Sequence, residues 1–235
     1  MELLFLDTET TGNDPKNDRL TQVCYKITDQ VECEYFKPPI PISIKSMSIT
    51  HITNKMVEDK AAFIGSDMSK KLAEILPNHI LVAHNAKFDI EMLKAEGLEV
   101  PHHICTLRVA RYLDKNSVIP EYNLQFLRYY LELEVEGTAH DAVGDVMVLE
   151  AIFDRLLQKM ISETGSKETA IEKMIEVSSH PSLFHKFNFG KYKDKTVAEV
   201  ATTDKEYLLW LLNQKLLNNQ DDEDWIYTLQ HYTKS

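Results

Sequence analysis

The sequence predicts an α/β fold: a mixed sheet flanked by helices, followed by a small, mostly helical C-terminal domain. Three observations predict it. Residues 2–38 hold three strand-like runs, the last two placed as a hairpin. Residues 79–161 then pass from a short apolar run into segments with helical spacing. A separate apolar set begins near Leu183, after a polar connection.

The elements follow in order. Residues 2–7, ELLFLD, form a buried strand. TQVCYKIT (21–28) and VECEYFKP (31–38) are β-branched and aromatic-rich, and Asp29 and Gln30 between them suggest a turn. The first three strands are therefore antiparallel. The prolines of PPIPIS (38–43) end this ladder because they cannot donate to it. A short helix is expected over 52–59 and a stronger one over 67–76, stopped by Pro77. ILVA, within 79–89, reads as a strand covered on both faces, and such strands are parallel. The helix FDIEMLKAE follows and stops at Gly97. TLRVARYL (106–113) and NLQFLRYYL (123–131) show helical spacing. The longest helix is expected over 141–161, with Val143, Val146, Met147, Leu149, Phe153, Leu156 and Leu157 on its apolar face.

SETGSKETA (162–170) leads into one more helix to about Val177, and SSHPS (178–182) is a turn cluster. Beyond it, Phe187, Phe189, Tyr192, Val197, Val200, Trp210 and Trp225 belong to a hairpin-like segment and two or three helices. The expected organisation is a main domain over 1–162, a helical connection over 163–182 and an accessory domain over 183–235.

Bulk properties narrow the function classes. With 43% hydrophobic and 27% charged residues, the 235-residue chain has the composition of a globular protein. MELLFLD is neither a signal peptide nor a membrane span, so a cytoplasmic protein without membrane contact is expected. Cys24, Cys33 and Cys105 are odd in number and lack CxxC spacing, which reads as unpaired core residues in a reducing compartment. A net charge of −11 argues against nucleic-acid binding by charge alone. Bound divalent cations would reverse that sign locally.

The chemistry starts at FLDTETTG (5–12). Asp7 and Glu9 point to one face of a strand and repel unless a cation, a proton or water separates them. Asp89 follows the ILVA strand at a helix start, where the helix dipole favours an acid. HDAVGD adds His140 and Asp145. Five helical residues turn the chain about 500°, leaving about 140° between those side chains, so His140 belongs on the entering loop or first turn. Four carboxylates can hold two hard cations through oxygen, an arrangement suited to attack on a phosphodiester. A histidine with an ordinary pKa near about 6.5 suits the base that takes a proton from water.

Each residue alone has a plainer reading. Asp7 and Glu9 fit a solvated sheet edge, Asp89 a helix cap, His140 a surface histidine and Asn85 a turn former. His102, His103 and Cys105 have no second ligand pair, which argues against zinc. Arg108 and Arg111 read as a solvated helix face. Lys186, Lys191, Lys193 and Lys195, among Phe187, Phe189 and Tyr192, suit a single strand of nucleic acid or an exposed basic turn.

DTETTG, HNAKFD and HDAVGD, in order and spacing, resemble the three motifs of the DEDD exonucleases in their histidine variant, over about residues 2–160. These DnaQ-like proteins are related to the proofreading subunit of bacterial DNA polymerase III. FNFGKYKDKTVAEVATTDKEYLLWLL (187–212) is similar to the C-terminal domain of exodeoxyribonuclease X-type members, with Asp194 where glycine is usual.

The resemblance implies a ribonuclease H-like sheet. It also implies 3′→5′ hydrolysis of DNA ends, single-stranded or duplex, to nucleoside 5′-monophosphates in repair or end processing. Two divalent cations, Mg2+ or Mn2+, would be held by Asp7, Glu9, Asp89 and Asp145, with His140 as base. Thr10, Thr11, His51, Ile52 and Asn85 would touch substrate; His51-Ile52-Thr53 stands where the family commonly has His-Gly-Ile. Lys191, Tyr192, Lys193 and Lys195 would be accessory DNA contacts. An exoribonuclease of the same fold, or an inactive module binding a polymerase or nucleoprotein, stays open as an alternative. Oligomeric state is equally open, a dimer included.

Overall fold

In the computed structural model, residues 1–135, 142–217 and 222–234 are described. Alternation along β1 (Glu2–Thr10) sends Phe5, Asp7 and Glu9 to one face of the sheet and Leu4, Leu6 and Thr8 to the other. β1 pairs antiparallel with β2 (Leu20–Ile27), which pairs antiparallel with β3 (Gln30–Tyr35). Their turn centres on Thr28 and Asp29, one residue earlier than expected, with Thr28 at φ 50°. On its other edge β1 pairs parallel with β4 (His79–Ala83), and β4 pairs parallel with β5 (His103–Cys105). The order β3-β2-β1-β4-β5 is the expected mixed sheet. β5 is an addition, since three residues are too short to show a period.

Helix placement departs from expectation at one point. The helix expected over 52–59 is replaced by α1 (Ile44–Thr50), and 52–59 is mostly turn. The Ser43 hydroxyl caps the Ser46 amide at 3.0 Å, and His51 ends α1 in the left-handed region at φ 57°. α2 (Asp67–Ile75) precedes a 3-10 turn containing Pro77, and α3 (Ala86–Ala95) stops before Gly97 at φ 88°. α4 (Thr106–Leu113), α5 (Leu124–Tyr130), the long α6 (Ala142–Thr164) and α7 (Lys167–Ser178) follow. α8 (Val197–Thr203), α9 (Lys205–Leu217) and α10 (Glu223–Lys234) complete the chain.

Three cores result. Phe5, Ile80 and Val82 pack against Val146, Leu149 and Phe153 of α6, with the rings of Phe5 and Phe153 edge to face at 5.4 Å. Leu4 and Leu6 pack against Leu72 of α2 and Met92 and Leu93 of α3. The third core draws only on residues from Phe184 onward and centres on Phe187 stacked on Trp225 at 5.0 Å. Among the described residues no helix is long and apolar enough to cross a membrane.

Two polar links tie the sheet together. Lys26 of β2 pairs with Glu150 of α6, fastening that helix over the sheet. Cys24 and Cys33 are joined by a disulfide, contrary to the expectation of unpaired cysteines, while Cys105 is free and buried. The nine-residue separation places the two cysteines directly opposite in the hairpin register, with Cα atoms 4.1 Å apart. That is the close type of antiparallel pair, and only the register, not the spacing alone, reveals it.

Candidate active site

Asp7 follows Phe5↔Val82, the last pair of the β1–β4 ladder, and so emerges where the two parallel strands part. Across that gap α3 begins. Its first turn carries Asp89, only 4% exposed, whose Oδ1 accepts a 2.7 Å hydrogen bond from the Thr8 hydroxyl. The N-cap of α3 is Asn85, at φ 63°, so Asp89 does not take the capping place. Asp145 lies in the first turn of α6, and its Oδ1 accepts a 2.6 Å hydrogen bond from Gln125 Nε2 of α5. Strand, strand–helix junction and two helix starts thus bring Asp7, Glu9, Asp89 and Asp145 toward one point. His140 lies outside the described residues.

The electrostatics express that convergence. Burial, then the charges of Asp89, Glu9 and Asp145, push the Asp7 carboxyl well above the usual carboxylate range. Burial and then Asp145 raise Glu9 to about 7. Burial raises Asp89 to about 7 against the opposing hydrogen bond from Thr8. Buried anions in this relation need protons or a cation, and an all-carboxylate oxygen set suits a hard divalent ion. Among the described residues, no three His, Cys, Asp or Glu side chains already close a metal shell.

A groove of about 240 Å³ runs beside Glu9. Glu9, Thr10 and Gly12 line one wall, Lys45, Ser46 and Ile49 of α1 the other, and Phe88 of α3 also borders it. Ser46 closes the joint by donating to the Thr10 carbonyl at 2.5 Å. The hydroxyls of Thr10 and Thr11 are engaged, by Gly12 O at 2.6 Å and Asp18 at 2.8 Å. A Cβ at Gly12 would meet the Asp18 carboxylate at 2.5 Å and push it off its bond with Thr11.

Ile52, expected from the resemblance to touch substrate, has its side chain turned into the protein. At 2% exposure it packs with Ile42 and Val57 in a small core, because the left-handed turn at His51 swings the chain inward. His51 itself is exposed at the end of α1. Ile49, before the turn and 57% exposed, borders the groove instead. Asn85 is exposed and lines a second, larger cleft of about 800 Å³, which also borders Asn13 and Phe88.

That cleft lies against the C-terminal unit and overturns the reading of Arg108 and Arg111 as a solvated face. Arg108 pairs with Glu223 and donates to the Ser178 carbonyl at 2.8 Å. Arg111 reaches Asp224 at 2.6 Å and lies over the Phe184 ring at 5.0 Å. Lys87 of α3 meets Glu223 at 2.8 Å. The acidic first turn of α10 thereby docks the third core onto α3 and α4, a long-range pairing that local sequence does not disclose.

The basic aromatic cluster is an exposed turn with several of its charges paired. Lys191 and the Tyr192 hydroxyl both reach Asp204, at 3.1 and 2.5 Å, and Lys195 reaches Glu199 at 3.2 Å. Lys193 is exposed, and Asp194 adopts φ 70°. His103 lies in β5 and contacts the Ser178 carbonyl at 3.2 Å, so the His102–Cys105 stretch is a sheet edge. Sequence reasoning missed Thr8 and Gln125. Each is an ordinary residue of its element until the carboxylate arriving from elsewhere is in place.

The comparisons with known proteins agree with this architecture. The family described as "Exonuclease" matches residues 4–153, and that described as "Exodeoxyribonuclease X-like C-terminal" matches 187–215. Exodeoxyribonuclease 10 of Escherichia coli K12 is 30% identical over 245 residues, covering 99% of each chain. The PolC-type DNA polymerase III of Thermotoga petrophila is 32% identical over 199 residues, 77% of this chain and 14% of the polymerase. A solved structure of exonuclease X in complex with 5′ overhanging duplex DNA superposes with a TM-score of 0.59 at 26% identity, covering 75% of this chain and 99% of that one. A structure of exonuclease I, at 22% identity and TM-score 0.55, covers 69% of this chain and 43% of its own and shares the fold. The chain belongs to the exonuclease family, with a ribonuclease H-like domain followed by an exodeoxyribonuclease X-like C-terminal domain.

Proposed function

We propose that this protein is a metal-dependent 3′→5′ exonuclease that hydrolyses DNA ends to nucleoside 5′-monophosphates in repair or end processing. The observation that carries the reading is the convergence of Asp7, Glu9, Asp89 and Asp145, with three of their carboxyls held above the ordinary range by burial and mutual repulsion. These four would hold two divalent cations, Mg2+ or Mn2+. When bound, such ions acidify a water and neutralise charge on the scissile phosphate.

The chain's own groups do the rest. The Glu9–Gly12 backbone, its threonine hydroxyls already engaged, forms the floor on which the terminal sugar rests. Ile49 and Phe88 bound the groove and flank the last base. His140 takes the proton of the attacking water, and Asn85 faces the neighbouring cleft where the strand continues. Lys191, Lys193 and Lys195, beside Tyr192, are at most accessory contacts, since Lys191 and Lys195 already hold acids. DNA rather than RNA is favoured by the relatives named exodeoxyribonuclease 10 and exonuclease X with duplex DNA. A net charge of −11 makes the grip weak, so release after each few nucleotides is expected.

Matched 3′-labelled DNA and RNA oligonucleotides, incubated with Mg2+, Mn2+ or a chelator, test the reading. Mononucleotide release from DNA that stops with chelator and in Asp7→Asn is the expected result. Full activity in Asp7→Asn, or no turnover of DNA with either metal, would overturn it.

A further inference from the structure

Gln125 stands outside the three motifs, in the seven-residue helix α5. Its Nε2 donates to Asp145 Oδ1 at 2.6 Å, a short bond of the charge-assisted kind. The amide nitrogen is the atom turned to the carboxylate, as its two donors suit. The consequence falls on the other atom. Gln125 Oε1 is buried and finds no hydrogen-bond partner among the described residues. A buried acceptor left unpaired costs about 1–3 kcal/mol, which an apolar side chain of the same shape would avoid.

α5 is itself held against the site from the other side. The Asn123 side chain caps the amide of Phe126 at 2.8 Å, and Leu127 is fully buried beneath the helix. His84, at the end of β4, bonds through Nε2 to the Tyr122 carbonyl at 2.7 Å and through Nδ1 to Thr106 at 2.9 Å. The segment that presents Gln125 is therefore fastened to the strand end that launches Asp89. An amide kept at a local cost, on an anchored helix, aimed at one oxygen of a site carboxylate, is arranged for function more than for stability.

We infer that Gln125 is a positioning residue: by holding Oδ1 it fixes the orientation in which the Asp145 carboxylate would meet a divalent cation. This deepens the function proposed above and rests on it. Thr8 and Asp89 form the corresponding pair on the other side of the site.

The test uses the full chain with Gln125→Met, which keeps the unbranched shape without polar atoms, and Gln125→Glu, which keeps the shape without the donor. Three quantities are measured: Mn2+ affinity without DNA, from the loss of the free Mn2+ paramagnetic resonance signal; thermal stability in chelator; and kcat and KM on a labelled DNA oligonucleotide. Mn2+ binding should weaken about 10–100-fold in both variants, with kcat falling alike and recovering partly at high Mn2+. KM for DNA should stay within about twofold, and Gln125→Met should melt close to the wild type in chelator, since the orphaned acceptor and the bond to Asp145 are lost together and offset. A merely structural glutamine would give the opposite pattern, a lower melting temperature with Mn2+ affinity unchanged, and that result overturns the inference. A wild-type chain that neither binds Mn2+ nor turns over DNA would instead overturn the proposed function, so the two failures are distinguishable.

Discussion

The Thr8 hydroxyl donates a 2.7 Å hydrogen bond to Asp89 across 81 residues of sequence, from a strand position facing away from Asp7 and Glu9. The acid pair of β1 therefore reaches the site on one face while Thr8, between them, steadies a third carboxylate arriving from α3. Replacing it with valine keeps the shape and deletes the donor. Thr8→Val should lower kcat by about tenfold, with KM for DNA little changed and activity partly restored by raised Mg2+ or Mn2+. Steady-state kinetics across a metal titration checks this, and unchanged kcat at limiting metal would remove Thr8 from the positioning set.

Ile49 and Ile52 should separate binding from folding. Ile52 is buried with Ile42 and Val57, so Ile52→Ala should cost about 2–4 kcal/mol in urea unfolding. Ile49 borders the groove and is largely exposed, so Ile49→Ala should change stability by less than about 0.5 kcal/mol. Its effect should appear as a several-fold higher KM for DNA. Equal loss of stability in both variants would contradict the inward turn at His51.

These residues also show what was legible in the sequence. The acids at 7, 9, 89 and 145 could be found because each lies in a short motif whose local structure follows from apolar runs and turn residues. The mixed character of the sheet followed from a tight hairpin and one doubly covered strand, while its strand order did not. What stayed hidden depends on partners far along the chain. Arg108 and Arg111 looked solvated until Glu223 and Asp224 arrived from α10, more than 110 residues away. Ile52 was read from the resemblance at His51-Ile52-Thr53, and its packing with Ile42 and Val57 depends on residues outside that short stretch. The Cys24–Cys33 bond needed the hairpin register, which a single-residue shift of the turn would have destroyed.

His84 should make stability depend on pH in a stated direction. Burial holds its pKa down to about 4, against an ordinary value near 6.5, while the ring bonds the Tyr122 carbonyl and Thr106. Its folded pKa is depressed, so the folded state binds fewer protons than the unfolded chain between those values. The stabilisation is fully present above about pH 6.5 and is lost as pH falls toward about 4. Urea unfolding of the wild type and His84→Gln should show a clear gap at pH 7.5 that narrows by pH 4.5. Titration of the carboxylates is common to both proteins and cancels in the difference. A gap that widens on acidification would mean that the ring is charged in the folded protein.

Asp194 offers a test that touches no chemistry. It sits at φ 70° in the turn between Phe187 and Thr196, and its amide donates to the Phe187 carbonyl at 2.8 Å. The left-handed region costs a residue with a Cβ about 1–2 kcal/mol, while glycine gives back about 0.5–1 kcal/mol through the freedom of its unfolded chain. The difference favours glycine at this position. Asp194→Gly should therefore stabilise the protein by about 0.5–1 kcal/mol, read as a higher melting temperature with kcat and KM on DNA unchanged. A lower melting temperature would show that the aspartate side chain contributes more to the turn than its backbone strain removes.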